Sequence, residues 1–186
     1  MSKLQSIHFL QNRVAYLRDE GAYQKLFYHF HPVLFRFCNG IIKNEQVADE
    51  LVSDVMLKVW QMESRLAYVE DLDLYLFKAI KNASLTHLSR QKNRLENETA
   101  GDENFEDSNE NPLQQIVTAE TERVIEAAVA SLPAQCQMVF RLIREEGFSH
   151  KKVSAILDVS QNTIETHMRI GLKRVKKSLE HYLSGQ

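Results

Sequence analysis

Residues 149–174 contain two short helical patterns separated by a turn, and this arrangement is compatible with few folds. Ser149 is placed to cap a first helix whose apolar residues recur every three or four positions. Residues 158–160 interrupt this pattern, and Ser160 is placed to cap a second helix. The segment therefore predicts a helix-turn-helix, in which the second helix can enter a DNA major groove.

The second predicted helix has a buried face, a polar face and a basic end. Its buried stripe is predicted at Ile164, Met168, Leu172, Val175 and Leu179. Side chains that can bond base edges lie off this stripe: Gln161, Asn162, Glu165, Thr166 and Arg169. Cations suited to phosphate contacts follow: Lys173, Arg174, Lys176 and Lys177. A helical hairpin with a solvated basic face is the simpler alternative, but the capped turn and the polar first half favour a DNA-binding surface.

Composition predicts an all-α fold. Glycine and proline number only six and three in 186 residues, and strand-like alternation is absent. The net charge of −2 hides an uneven distribution, because residues 147–186 carry seven Lys or Arg against three Asp or Glu. A near-neutral total therefore does not exclude nucleic-acid binding, since the local field decides which partners are attracted.

Two small helical domains are predicted, at residues 1–92 and 114–186, joined by a flexible linker at 93–113. The linker carries seven acidic residues against one basic residue and little apolar surface, so it cannot bury enough surface to order itself. A surface loop within a single domain is the alternative. A structureless loop of this length is uncommon in compact domains, which favours the linker.

Several functional classes are excluded by what the sequence lacks. Cys38 and Cys136 are far apart, and His29 and His31 are spaced to point to different sides of a helix, so neither metal nor cofactor is predicted. Glycine-rich phosphate loops, nucleophile elbows and paired catalytic acids are absent, so the chain is predicted not to be an enzyme. No apolar run of about 18 residues or signal core predicts membrane insertion or export, and the expected location is cytoplasmic.

Four segments occur in a characteristic order. They are AYQKLFYHFHPVL at 22–34, ADELVSDVMLKVW at 48–60, YLFKAIKN at 75–82, and SLP at 131–133 followed by the helix-turn-helix. In this order and spacing the chain resembles the sigma-70 family of bacterial transcription initiation factors, and most closely its small extracytoplasmic-function (ECF) group. It departs from the family pattern at Thr86, Ser89, Lys152 and Ile170. These departures bear on which promoter is bound rather than on the class.

The resemblance implies three partners: core RNA polymerase, promoter DNA and an anti-sigma factor. It assigns polymerase binding to Glu50, Asp54 and Trp60. Asp54 lies too deep in its helix to be explained by the helix dipole, whereas for Glu50 the dipole and a polymerase contact are equally good explanations. The alternative function is a free-standing helix-turn-helix transcription regulator. It has no need of an acidic helix face, which favours the sigma factor.

A second group of residues matches the promoter-melting part of the family. It comprises Tyr68, Tyr75, Lys78, Lys81, Asn82 and Arg90. Aromatic rings beside cations suit single-stranded DNA, because bases stack on the rings while phosphates meet the cations. The loop at residues 65–71 is the predicted site at which an unpaired base is captured. For Tyr75 and Phe77, a place in the hydrophobic core is at least as good an explanation, and Asn82, a polar residue in the middle of its helix, is the better candidate.

Overall fold

The computed structural model of the chain describes residues 3–97 and 118–184. Its elements in chain order are α1 (Lys3–Leu17), α2 (Glu20–Ile42), α3 (Glu45–Gln61), the 3₁₀ helix η1 (Glu63–Tyr68), α4 (Leu72–Asn97), α5 (Thr118–Ala130), α6 (Ala134–Arg144), α7 (His150–Leu157) and α8 (Gln161–Ser184). Within these two ranges all regular secondary structure is helical, so the prediction of an all-α fold is confirmed.

The described residues form two compact units. The first contains the residues up to Leu88 together with Lys151–Val159, and the second contains the remainder. Of the predicted linker, residues 93–97 are the end of α4, and residues 98–113 lie outside the described part of the chain. The predicted domain limits of 1–92 and 114–186 remain a prediction.

Helix starts in the first unit follow from capping side chains. The Asp19 carboxylate accepts a hydrogen bond from the Ala22 amide at 2.9 Å and so caps α2. The Asn44 side chain accepts one from the Val47 amide at 3.1 Å and caps α3. Such caps satisfy amide groups that have no partner inside the helix, and each typically stabilises by about 1 kcal/mol.

Large apolar side chains from α2, α3, η1 and α4 fill the core of the first unit. The fully buried ones include Leu26, Phe30, Leu34, Met56, Leu66, Leu76, Phe77 and Ile80. The rings of Phe37 and Phe77 meet edge to face, with centroids 5.3 Å apart. Burial of each such side chain contributes roughly 1.5–3 kcal/mol. The core alternative for Phe77 is therefore the one that the structure shows.

The second unit is built around α8, which packs against α5 and α6. Its buried residues include Val129, Leu132, Val139, Leu142, Ile164 and Met168. Gly171 is also buried, and a Cβ atom built at this position would lie 2.9 Å from Cδ2 of Phe140. Because real Cβ atoms essentially never come so close to another atom, α6 approaches α8 at a place where only glycine fits without movement.

Candidate functional site

The predicted turn before α8 is formed by backbone geometry and a serine cap. Asp158 has a left-handed backbone conformation, with φ of 56°, which ends α7. The Ser160 hydroxyl then accepts a hydrogen bond from the Thr163 amide at 3.1 Å, as expected for the cap of the next helix. The helix, turn and helix thus have the local conformation predicted from residues 149–174.

All nine predicted DNA-binding side chains of α8 are exposed. The buried face is formed by Ile164, Met168, Gly171 and Val175. The prediction that Leu172 belongs to this face is wrong, since 41% of its surface is exposed. Spacing explains the difference. The four buried residues are separated by steps of four, three and four positions, which keeps them on the side of the helix that faces α6. Leu172 directly follows Gly171 in sequence, so its side chain leaves the helix in another direction. Lys176 also faces Glu180 along the same helix, with Nζ 3.6 Å from Oε1.

The predicted melting residues differ in exposure. Tyr68 is 79% exposed, and Asn82 and Arg90 are also exposed, while Tyr75 and Lys78 are partly covered. Lys81 is only 9% exposed. The structure therefore places one cation of the predicted set where solvent scarcely reaches it.

A carboxylate from the turn before α8 explains the burial of Lys81. Lys81 Nζ donates to Asp158 Oδ2, and Lys78 Nζ lies 3.9 Å from Oδ1 of the same residue. The hydrogen bond from Lys81, its charge and the charge of Lys78 hold the pKa of Asp158 below its usual value. In this conformation Lys81 is engaged by protein rather than open to a phosphate.

The loop between η1 and α4 is supported by α1. Gln11 is 2% exposed, and its Nε2 atom donates to the carbonyl oxygens of Leu66 and Val69, each at 2.7 Å. At the other end of the loop, the Asp71 carboxylate accepts from the Leu74 amide at 2.9 Å and caps α4. Tyr68 lies between these two anchor points.

The predicted polymerase-binding residues lie along α3. Glu50 and Asp54 are exposed, and Leu57, one turn further on, is 49% exposed. Asp49 instead faces His31, with Oδ1 3.0 Å from Nε2. The carboxylates at 50 and 54 and the apolar side chain at 57 thus form a surface strip, here called the α3 strip.

Trp60 is half-buried beside an open groove of 720 Å³. The groove is lined by Glu20, Gly21, Tyr23, Gln24, Phe27, Tyr28, Leu57 and Trp60. The Trp60 ring contacts that of Tyr23, with centroids 5.0 Å apart, and the Arg18 guanidinium lies over the Trp60 ring at 3.9 Å from its centroid. Arg18 also donates to the Trp60 carbonyl. These contacts fix the indole next to the α3 strip.

Among the residues described, no cluster of three or more His, Cys, Asp or Glu side chains has the arrangement of a metal site. Cys136 Sγ lies 3.0 Å from Nδ1 of His167, but burial raises the pKa of the Cys136 thiol and so disfavours the thiolate that metals bind.

Within residues 3–97 and 118–184, none of the helices has both the length and the apolar character needed to cross a lipid bilayer.

Two family models match the sequence. The model of sigma-70 region 2 matches residues 26–94, and the model of sigma-70 region 4 matches residues 122–175. Together they span about two thirds of the chain. The chain belongs to the sigma-70 family. As a sigma factor it binds core RNA polymerase and promoter DNA and functions in transcription initiation. Among curated protein sequences, none matches the chain significantly.

Solved structures share the fold of this sigma factor. The sigma factor RpoE from Bartonella quintana, in complex with the anti-sigma factor NepR, is similar with a TM-score of 0.63 and 16% identity, over 85% of this chain and 96% of that one. CnrH, in complex with the cytosolic domain of CnrY, is similar with a TM-score of 0.58 and 15% identity, over 95% of this chain and 98% of that one.

Sequence reasoning missed four residues of these surfaces: Gln11, Arg18, Leu57 and Asp158. Leu57 carried a usable signal, because it is an apolar residue one turn from Asp54 on a helix whose buried face lies elsewhere. The other three act on partners that are 42 to 77 positions away in the chain. No local pattern encodes a pairing of that kind.

Proposed function

We propose that this protein is an ECF-type sigma factor with three working surfaces. The α3 strip and its groove bind core RNA polymerase. The η1–α4 loop, with α4, holds the opened downstream promoter element, and the exposed face of α8 reads the upstream element. The protein acts by binding rather than by catalysis, in the cytoplasm, where polymerase and promoter meet.

The α8 surface carries this proposal. Every side chain predicted from the sequence to meet DNA is exposed there, while the opposite side of the helix is buried. Amide, hydroxyl and guanidinium groups precede Lys173, and cations predominate after it. The first group suits base edges and the second suits phosphates, so α8 has both contact types that sequence-specific DNA binding requires.

The α3 strip has the make-up of a protein interface. The carboxylates of Glu50 and Asp54 are exposed next to Leu57 and the aromatic groove. An apolar anchor beside a charged rim is typical of protein–protein contacts. Acidic side chains there fit a basic helical surface on the polymerase. Trp60, held by its contacts with Tyr23 and Arg18, supplies a rigid wall of the groove.

The exposed ring of Tyr68 supports base capture by the loop. Stacking of a base on an aromatic ring contributes about 1–3 kcal/mol, which helps to offset the cost of unpairing. Asn82 and Arg90 are exposed on α4 and complete the surface. Lys81 joins it only after its bond to Asp158 is broken.

A protein inhibitor is the third proposed partner. RpoE is bound by the anti-sigma factor NepR in its solved structure, and CnrH is bound by part of CnrY. We propose that this sigma factor is likewise held by an anti-sigma protein that covers one or more of the three surfaces.

Gel filtration with bacterial core RNA polymerase tests the proposal, followed by transcription from a template selected from random DNA by the resulting holoenzyme. We expect stoichiometric co-elution and transcripts that start at a defined position. A stable homodimer that does not associate with polymerase would instead support a free-standing regulator. Core polymerase without the factor is the control, and it should give no defined start on the selected template.

A further inference from the structure

We propose that Gln11 is a positioning residue that sets the loop in which Tyr68 captures an unpaired promoter base. The inference rests on the proposed base-capture function of that loop. It begins from an unusual placement: Gln11, a polar amide side chain on α1, is 2% exposed and so is as buried as the apolar core residues. A buried amide is costly unless its hydrogen bonds are made.

Both hydrogen bonds donated by Nε2 of Gln11 go to the same loop. Its Nε2 atom donates to the carbonyl oxygens of Leu66 and Val69, each at 2.7 Å. Leu66 O also accepts from the Val69 amide at 3.1 Å, so the turn is closed by its own backbone and by the side chain from α1. Gln and Asn are the only uncharged side chains that offer two N–H donors from one nitrogen atom. The site therefore uses the particular chemistry of an amide.

The two carbonyl groups flank the ring that is proposed to meet DNA. Leu66 is fully buried and precedes Tyr68 by two residues, while Val69 follows it directly. Asp71 fixes the far end of the loop by capping α4. Between these anchors the Tyr68 ring is exposed on a backbone that is already fixed, which lowers the entropy that base capture would otherwise cost.

The placement of Gln11 lies outside the matched family segment, which begins at residue 26. The role is therefore a property of this chain's α1 rather than one implied by the family match. Arg18, which directly follows the last residue of α1, contacts Trp60. Gln11 instead donates its side-chain amide to the loop carbonyls of Leu66 and Val69, which flank Tyr68.

The test is a double-mutant cycle between positions 11 and 68 in the assembled holoenzyme. Gln11→Met keeps the length of the side chain and removes both donors. Open-complex formation is measured on a promoter selected from random DNA by the wild-type holoenzyme, by permanganate reactivity of unpaired thymines. We expect Gln11→Met to slow opening about tenfold, because the carbonyl groups of Leu66 and Val69 each lose the hydrogen bond from the side chain at position 11. In a Tyr68→Ala background the same change should have almost no further effect.

Additive effects of the two changes in a folded protein would overturn the inference, because a merely structural role does not act through Tyr68. Normal opening by Gln11→Met would overturn it as well. If Tyr68→Ala itself opens normally, the proposed base capture fails instead. Core affinity should stay within twofold of wild type, in agreement with a local role.

Two further variants keep the test decisive. Gln11→Glu is isosteric but places a carboxylate against two carbonyl oxygens, so it should slow opening more than Gln11→Met. Asn12→Asp introduces the same charge change on the adjacent residue of α1 and is the matched control, with opening expected at the wild-type rate. Equal defects in Gln11→Glu and Asn12→Asp would show that charge on α1, not the loop hydrogen bonds, is responsible.

Discussion

The two proposed DNA-binding surfaces differ in how freely their cations are available. On α8, Arg169, Lys173 and the other seven predicted side chains are all exposed. On α4, Lys81 is almost fully covered and bonded to Asp158, and Lys78 lies close to the same carboxylate. The α8 cations can meet a phosphate as they stand, whereas Lys81 on α4 must first lose its ion pair with Asp158.

The number of cations on a helix is therefore not the number that is available to bind DNA. A lysine with an intramolecular carboxylate partner exchanges one anion for another when it meets a phosphate, so its net contribution is smaller. We therefore expect α8 to contribute most of the salt-dependent binding, and the aromatic and amide groups of η1 and α4 to contribute through stacking and hydrogen bonds.

The largest effect should come from a residue of neither DNA surface. Asp54→Arg should weaken core polymerase binding by about 2–5 kcal/mol, because reversing one member of a close charge pair leaves like charges facing each other. Fluorescence titration with core polymerase measures this. Glu45→Arg reverses an exposed charge on the same helix but away from the α3 strip, and it should bind normally. An unchanged affinity for a folded Asp54→Arg protein would remove the α3 strip from the interface.

Arg169→Ala should have the next largest effect, and only on discrimination. If Arg169 bonds a base edge, the preference of the holoenzyme for the intact upstream element over a mutated one should fall by about 1–3 kcal/mol. Competition binding with matched and mutated promoters measures the ratio. Equal weakening on every sequence would reassign Arg169 to phosphate contact and leave Gln161, Asn162 and Thr166 as the candidates for reading bases.

Lys173→Ala should have a smaller effect, the same on all DNA. Loss of one phosphate contact should lower the slope of log affinity against log salt by about 1, without changing the preference between promoters. Holoenzyme binding across several salt concentrations gives this slope. If the change alters promoter preference and leaves the slope as it was, the division of α8 into base-contacting and phosphate-contacting parts is wrong.

The smallest effect should be the acid sensitivity of the Lys81–Asp158 pair. The hydrogen bond and charge of Lys81 lower the pKa of Asp158, so the pair stabilises the folded state fully above the unfolded carboxyl pKa of about 4. This stabilisation is lost as the pH falls from there through the lower pKa that Asp158 has in the folded state. Asp158→Asn should therefore lower the melting temperature slightly at pH 7, with a difference that shrinks in acid. Thermal melts by circular dichroism between pH 7 and pH 3 measure it, and a difference independent of pH would contradict the pairing.

Periodicity predicted the elements whose partners are near in sequence. The exposure of the polar residues of α8 follows from their spacing, and the caps at Ser160 and in α2 and α3 act over three residues. The hydrogen bonds of Gln11 and Lys81 could not be predicted from periodicity, because their partners lie 55 to 77 positions away. Leu172 was misplaced for a different reason. A hydrophobicity pattern counts leucine and ignores glycine, yet it is the missing side chain of Gly171 that lets α6 approach.

The contact at Gly171 has a consequence for how related sequences vary. A methyl group there would meet the Phe140 ring at 2.9 Å, so an alanine at position 171 is tolerable only with a smaller or displaced side chain at 140. In an alignment of relatives the two columns should therefore change together, with glycine opposite an aromatic ring and alanine or serine opposite a slimmer residue. A deep mutational scan of this chain should find the same dependence, with substitutions at 171 depleted unless position 140 has also been reduced.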